Sequence, residues 1–238
     1  MLTSKTLVVL AATATGLASA QTFLYEFDPA LAGGVQGTIK VAYASAADSK
    51  ATISADLDFN KLDLAALQKL DGNCTSAPTE YKWHIHVKWN STLSSAALAQ
   101  CSLAATGNHY DPLYACGPNS EFAGSPQCVT KTPLYACSPA NYTANPLACE
   151  KGDLSGKFGG FKLDASKKAV GSWTDSNYPL VIENTPQWNM ILHAVCGKNT
   201  PRVACALGKR LLDATKSPGT PSPTTKSTFA PSPVKQHC

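Results

Sequence analysis

Four histidines carry the chemistry this sequence could do. His84 and His86 form an H-I-H pair inside the apolar stretch Tyr81–Trp89 (YKWHIHVKW). His109 lies in G-N-H-Y-D-P, and His193 in the apolar run N-M-I-L-H-A-V. In a strand, residues i and i+2 point to the same face, so His84 and His86 can bite one ion from a rigid platform. Imidazole suits copper and zinc, and Cu(II) binds most tightly in the divalent series. Taken singly, each of these histidines reads equally as a buried, hydrogen-bonded core residue. The set argues for a metal, because the chain has only five histidines. The fifth, His237, sits beside Cys238 in a Pro/Ser/Thr-rich tail, which leaves none for a second ion.

Such ligands need stiff elements to hold them. Runs of β-type composition recur between Gly, Pro, Asp and Asn breaks: Thr22–Phe27, Gly37–Ala44, Ala51–Phe59, Tyr81–Trp89, Gly160–Leu163, Pro179–Ile182, Met190–Val195 and Arg202–Leu207. Alternation is clearest in Thr38–Ala44 (TIKVAYA) and Ala51–Phe59 (ATISADLDF), the mark of half-buried strands. Only the short stretch Leu62–Leu70 reads as helix. The pattern predicts an all-β fold, a Greek-key β-barrel or sandwich of about eight antiparallel strands.

The interval from His109 to Asp153 is rich in Pro, Gly, Asn, Ser and Cys, and it has little periodicity. A loop this long without structure of its own is usually functional. It contains a repeat: Pro112-Leu113-Tyr114-Ala115-Cys116 recurs as Pro133-Leu134-Tyr135-Ala136-Cys137. Each copy's cysteine is followed by another, Cys128 and Cys149, at the same spacing. The repeat suggests Cys116–Cys128 and Cys137–Cys149 pairings that close the loop, though spacing alone leaves other connectivities open.

Residues 1–20 read as a secretory signal, with Lys5, the apolar core Leu7–Ala12 and the small-residue site Ala18-Ser19-Ala20. That core is too short for a transmembrane anchor. Secretion makes disulfides the natural state of the nine cysteines. Asn73, Asn90 and Asn141 begin glycosylation sequons, consistent with a glycoprotein. The expected domain runs over 21–214, and 215–238 is a Pro/Ser/Thr-rich tail that disfavours packing. Cys238 is the odd cysteine and offers an intermolecular link. The net charge of +4 is too mild a surplus to suggest a nucleic-acid partner.

In order, H-x-H, C-x7-H-Y-D-P, G-D-L-S-G-K, L-H-A and R-V-A-C-A-L-G resemble the copper/zinc superoxide dismutases, over roughly Gln21 to Lys209. By that resemblance His84, His86, His109 and His193 are copper ligands, His109 being the one that bridges to zinc in the two-metal enzymes. Arg202 matches the arginine that guides superoxide, and Cys101 and Cys205 match the family's internal disulfide. Asp153 matches a zinc ligand, but Glu150 stands where a zinc histidine is expected. No further histidines lie between His109 and Asp153, and Arg202 follows His193 by only nine positions, too few for the charged guiding loop. These departures resemble the extracellular copper-only dismutases of fungi and oomycetes. Phe158, where several relatives carry histidine, is read as neutral.

The resemblance implies a secreted, monomeric antioxidant enzyme with one copper and no zinc. It would convert superoxide to dioxygen and hydrogen peroxide by alternating Cu(II) and Cu(I), with His109 cycling a proton. With zinc gone, Glu150 or Asp153 is expected to orient His109, since a metal-bound histidine usually gives its other nitrogen to a carboxylate or carbonyl. For Asp153 the plainer role is a turn cap before Leu154-Ser155-Gly156. The alternative function is a non-catalytic extracellular copper-binding protein on the same scaffold.

Overall fold

A computed structural model describes residues 20–90, 98–183 and 187–211. The signal segment, the tail with His237 and Cys238, and Ser91 and Thr92 of the Asn90 sequon lie outside the described residues.

Alternation builds the first half of the sheet. In β1 (Gln21–Phe27), β2 (Gln36–Tyr43) and β3 (Ala51–Asp58), Phe23, Tyr25, Phe27, Ile39, Val41, Tyr43, Ile53 and Leu57 turn inward and are buried. Each such side chain contributes about 1.5–3 kcal/mol by leaving water. The other strands are β4 (Glu80–His86), β5 (Phe161–Lys162), β6 (Lys168–Asp175), β7 (Asn189–Ala194) and β8 (Arg202–Leu211). They form one eight-stranded sheet in the order β5-β4-β7-β8-β1-β2-β3-β6, antiparallel at every pairing. The sheet curls into a nearly closed barrel. Trp173 of β6 meets Trp83 of β4 at 5.1 Å and Phe161 of β5 at 5.6 Å, so an aromatic seam spans the gap between the end strands.

Two elements depart from the sequence expectation. Pro179–Ile182 is not a strand: Glu183 folds back so that its amide donates to the Leu180 carbonyl and its carboxylate accepts from the Leu180 amide. The place beside β3 is taken by Lys168–Asp175, whose pattern is inverted, with Val170 exposed and Ala169 inside. The Trp173 ring lies over Gly171, where any side chain would collide with it. The expected helix is present as α1 (Leu64–Leu70), capped by Asp63. Three more short helices, α2 (Leu103–Thr106), α3 (Pro139–Ala144) and α4 (Leu154–Phe158), lie in the connections.

Four cystines tie these connections down: Cys74–Cys196, Cys101–Cys205, Cys116–Cys128 and Cys137–Cys149. The last two each close a short ring, which on the chain-entropy account stabilises by roughly 3 kcal/mol.

Candidate metal centre

From Trp83 to His86, strand β4 is buried on both faces. Tyr81, Trp83 and Ile85 enter the barrel, while His84 and His86 point out of it yet stay covered. The cover comes from the edge that the two-residue β5 leaves open. Beyond Tyr81 the long connection takes that edge: Ile85 N–H donates to Gly152 O, Tyr110 N–H to Ile85 O, and Val87 N–H to Asn108 O. This lays His109 beside His86. Gly152 sits so close to Ile85 O and Tyr110 N that a Cβ would come within 2.7 and 2.9 Å of them. A glycine there is what lets the Glu150–Asp153 segment approach.

His193 joins from β7, directly opposite Lys82. Arg202 reaches the same outer face through a bulge. The β7–β8 register shifts between Leu192 and His193, so Val203 turns into the core and Arg202 pairs with His193.

The four histidines are buried and converge: one ring nitrogen from each lies within 4.8 Å of the others. His84 Nδ1, His86 Nε2, His109 Nε2 and His193 Nε2 are all buried without a hydrogen-bond partner. Buried polar atoms normally find partners, so four orphans facing one point mark a place for an ion. The opposite nitrogens are engaged. His86 Nδ1 is 2.9 Å from Gly107 O, His193 Nδ1 is 3.0 Å from Thr200 O, and His109 Nδ1 is 2.7 Å from Glu150 Oε2. His84 Nε2 lies 3.4 Å from Asp153 Oδ1. This is the arrangement that fixes tautomer and ring orientation in metal-binding histidines. The donor set, all imidazole, fits copper or zinc.

The expected carboxylates divide the work. Glu150 faces His109, whereas Asp153 faces His84 and also caps α4, accepting from Gly156 N–H at 2.8 Å. Burial, then the neighbouring Asp153 and Asp111, push the Glu150 carboxyl up to about 9. Burial lowers His84 and His109 to about 4 and holds His86 and His193 well below the ordinary histidine value. Burial would raise Asp153, but its contacts with His84, His109 and Tyr135 hold it low. Without a cation the cluster therefore favours neutral rings, the form that binds metal. A bound cation would in turn favour an ionised Glu150.

Arg202 Nη1 donates to Thr106 Oγ1 at 2.7 Å and to Gly107 O at 2.9 Å. Burial lowers it only to about 10, so it stays charged at neutral pH. Cys101–Cys205 pins the Thr106–Gly107 segment to the strand that carries Arg202. A cleft of about 410 Å³ opens onto His84, His109 and His193, with Lys82, Asp153 and Tyr135 in its walls. A second grouping, Asp111 with Cys116 and Cys128, is not a metal site. The two cysteines form a cystine, and Asp111 accepts from Ala115 N–H, Cys116 N–H and Ser120 Oγ–H.

Sequence reasoning did not find Tyr135, Thr106, or the carbonyls of Gly107 and Thr200. Backbone acceptors carry no side-chain signal. Tyr135 did carry one, as a member of the repeat, but nothing in its spacing ties it to the histidines.

No family model and no curated protein matches the sequence. Solved structures do match the fold. Superoxide dismutase 5 of Candida albicans in its Cu(II) form aligns at a TM-score of 0.50 and 21% identity, covering 85% of this chain and 99% of that one. A point mutant of the same protein gives the same figures. The chain shares the barrel fold of that protein. At this identity the likeness speaks to the barrel, and the site rests on the geometry above.

Proposed function

We propose that this chain is a secreted copper-only superoxide dismutase, acting as a monomer. His84 Nδ1, His86 Nε2, His109 Nε2 and His193 Nε2 would hold one copper. The observation that carries the reading is four orphaned buried nitrogens facing one point, each on a ring fixed from its far side. The case against a second metal is that Glu150, 2.7 Å from His109 Nδ1, occupies the nitrogen a bridging histidine would offer to zinc. Four cystines suit an extracellular protein, and among the described residues no helix is long and apolar enough to cross a membrane.

Bound copper would supply the one-electron couple that takes one superoxide to dioxygen and the next to hydrogen peroxide. The chain's residues do the rest. Glu150 anchors His109 by Nδ1, leaving Nε2 as the atom that can take up and return a proton without the ring swinging away. Arg202, fixed on Thr106 and Gly107, sets a permanent positive charge beside the cluster. Fixed charge of this kind raises the capture rate of a small anion.

The test is metal content and dismutation by purified Gln21–Ala214, beside a His84→Ala/His86→Ala variant. One copper per chain, no zinc, and fast turnover lost in the variant is the expected result. Copper without turnover would leave the binding-protein reading, and stoichiometric zinc would overturn the role given to Glu150.

A further inference from the structure

The duplicated P-L-Y-A-C segment places one tyrosine at the metal centre and leaves its twin elsewhere. In the first copy Tyr114 stacks on Phe122 with ring centroids 4.4 Å apart. In the second, the Tyr135 hydroxyl donates to Asp153 Oδ2 at 2.7 Å and accepts from Glu150 N–H at 3.2 Å. The Cys137–Cys149 cystine explains the reach. Tyr135 is two residues before Cys137 and Glu150 one residue after Cys149, so closing that ring sets the phenol against the carboxylate segment.

We propose that Tyr135 is a positioning residue for the metal centre: its hydroxyl keeps Asp153 on His84 while Glu150 serves His109. This rests on the copper reading of the histidine cluster. A hydroxyl has one proton, and here it is spent on Asp153. Asp153 Oδ1 is left to face Gly156 N–H and His84 Nε2. Glu150 is held through its backbone, so its side chain stays free to meet His109. Burial, then the two carboxylates, hold the phenol far above its ordinary value, which keeps it a donor.

The experiment compares the full chain with Tyr135→Phe and Tyr114→Phe, all loaded with Cu(II), by electron paramagnetic resonance and by copper release to a chelator. Tyr135→Phe should shift the copper hyperfine coupling and release copper about tenfold faster, the low end for partners behind a ligand. Tyr114→Phe should match the parent in both, with both variants melting within a few degrees of it. An unchanged spectrum and release rate in Tyr135→Phe overturns the proposal. So does an equal change in Tyr114→Phe, which would mean a loop-wide effect. Should Tyr135→Phe fail to fold, 3-fluorotyrosine at 135 keeps the ring and strengthens the donor; an unchanged spectrum there also overturns the proposal. If the parent takes up no copper, the dismutase reading falls by itself. Ring nitrogen shifts of His84 in the metal-free chain then decide the question: moved by Tyr135→Phe supports the role, unmoved overturns it.

Discussion

His86 and Arg202 meet on one atom. The carbonyl oxygen of Gly107 accepts from His86 Nδ1 at 2.9 Å and from Arg202 Nη1 at 2.9 Å. The acceptor that fixes the His86 ring therefore also fixes the Arg202 guanidinium beside the histidine cluster. Gly107 holds a left-handed backbone (φ +70°), where a Cβ would come within 3.0 Å of the Lys88 side chain. The Cys101–Cys205 cystine secures the same segment.

Because Arg202 binds this carbonyl and the Thr106 hydroxyl and none of the four imidazoles directly, removing it should spare the proposed copper. Arg202→Ala is expected to retain copper while kcat/KM for superoxide falls by about 10–100-fold, within the range for lost electrostatic steering. Arg202→Lys keeps the charge but loses the planar donor geometry, so it should recover only part of the rate. Stopped-flow dismutation with rising salt checks this. The parent rate should fall with ionic strength more steeply than that of Arg202→Ala.

Glu150 and Asp153 should fail differently. Glu150→Ala frees His109 Nδ1, and copper affinity should drop by about 10–100-fold with the fold intact. Asp153→Ala loses the contact to His84 and the cap of α4 together, adding about 0.5–2 kcal/mol of instability. Competition with a copper chelator and urea melts separate the two effects. Unchanged affinity and turnover in the double alanine variant would sink the positioning role of both.

Much of this was legible in the sequence, for identifiable reasons. Strands β2 and β3 announce themselves because Ile39, Val41, Ile53 and Leu57 recur at every second or fourth position. Strand β6 does not, because its outward Val170 and inward Ala169 invert the pattern that periodicity detects. The H-x-H geometry follows from strand pleat alone. What anchors His86, His193 and Arg202 does not, because the acceptors are backbone carbonyls and, for Arg202, also the Thr106 hydroxyl, and only the folded connections determine where these lie. The choice between Glu150 and Asp153 for His109 lay likewise beyond spacing. Gly152 and the α4 cap decide it by fixing how the segment lies along β4.

The metal-free protein should show opposing pH limbs. His84 and His109 fall to about 4 in the folded chain, from an ordinary value near 6.5. Between those values the unfolded chain binds more protons, so stability is full above about 6.5 and is lost as pH falls through about 4. Glu150 is raised to about 9, from an ordinary value of 4.5. Its contribution is full below about 4.5 and is lost as pH rises through about 9. Melting of the metal-free chain across this span should therefore decline at both ends. Glu150→Gln, which cannot ionise, should flatten the alkaline limb and leave the acid one. An alkaline limb unchanged by that substitution would assign it to another group.

Lys157 tests how the site is braced from below. Its ammonium is fully buried and donates to Asp175 Oδ2 at 2.9 Å, to Lys151 O at 2.9 Å and to Asn177 O at 3.3 Å. Asp175 also accepts from the Tyr142 hydroxyl and from Asn177 N–H. The pair thus joins α4, whose first turn Asp153 caps, to β6 at the far end of the sheet. Removing one member leaves the other charge buried and unpaired, at a cost of about 3–5 kcal/mol. Lys157→Met and Asp175→Leu should each lower the unfolding free energy read from urea melts by that much. The double variant should recover most of the loss, because two apolar chains leave no orphaned charge. Copper affinity should fall in the single variants as α4 loosens and return in the double. If the double variant is as unstable as the sum of the singles, the pair is not acting as a unit, and α4 must be held by its packing against β4 instead.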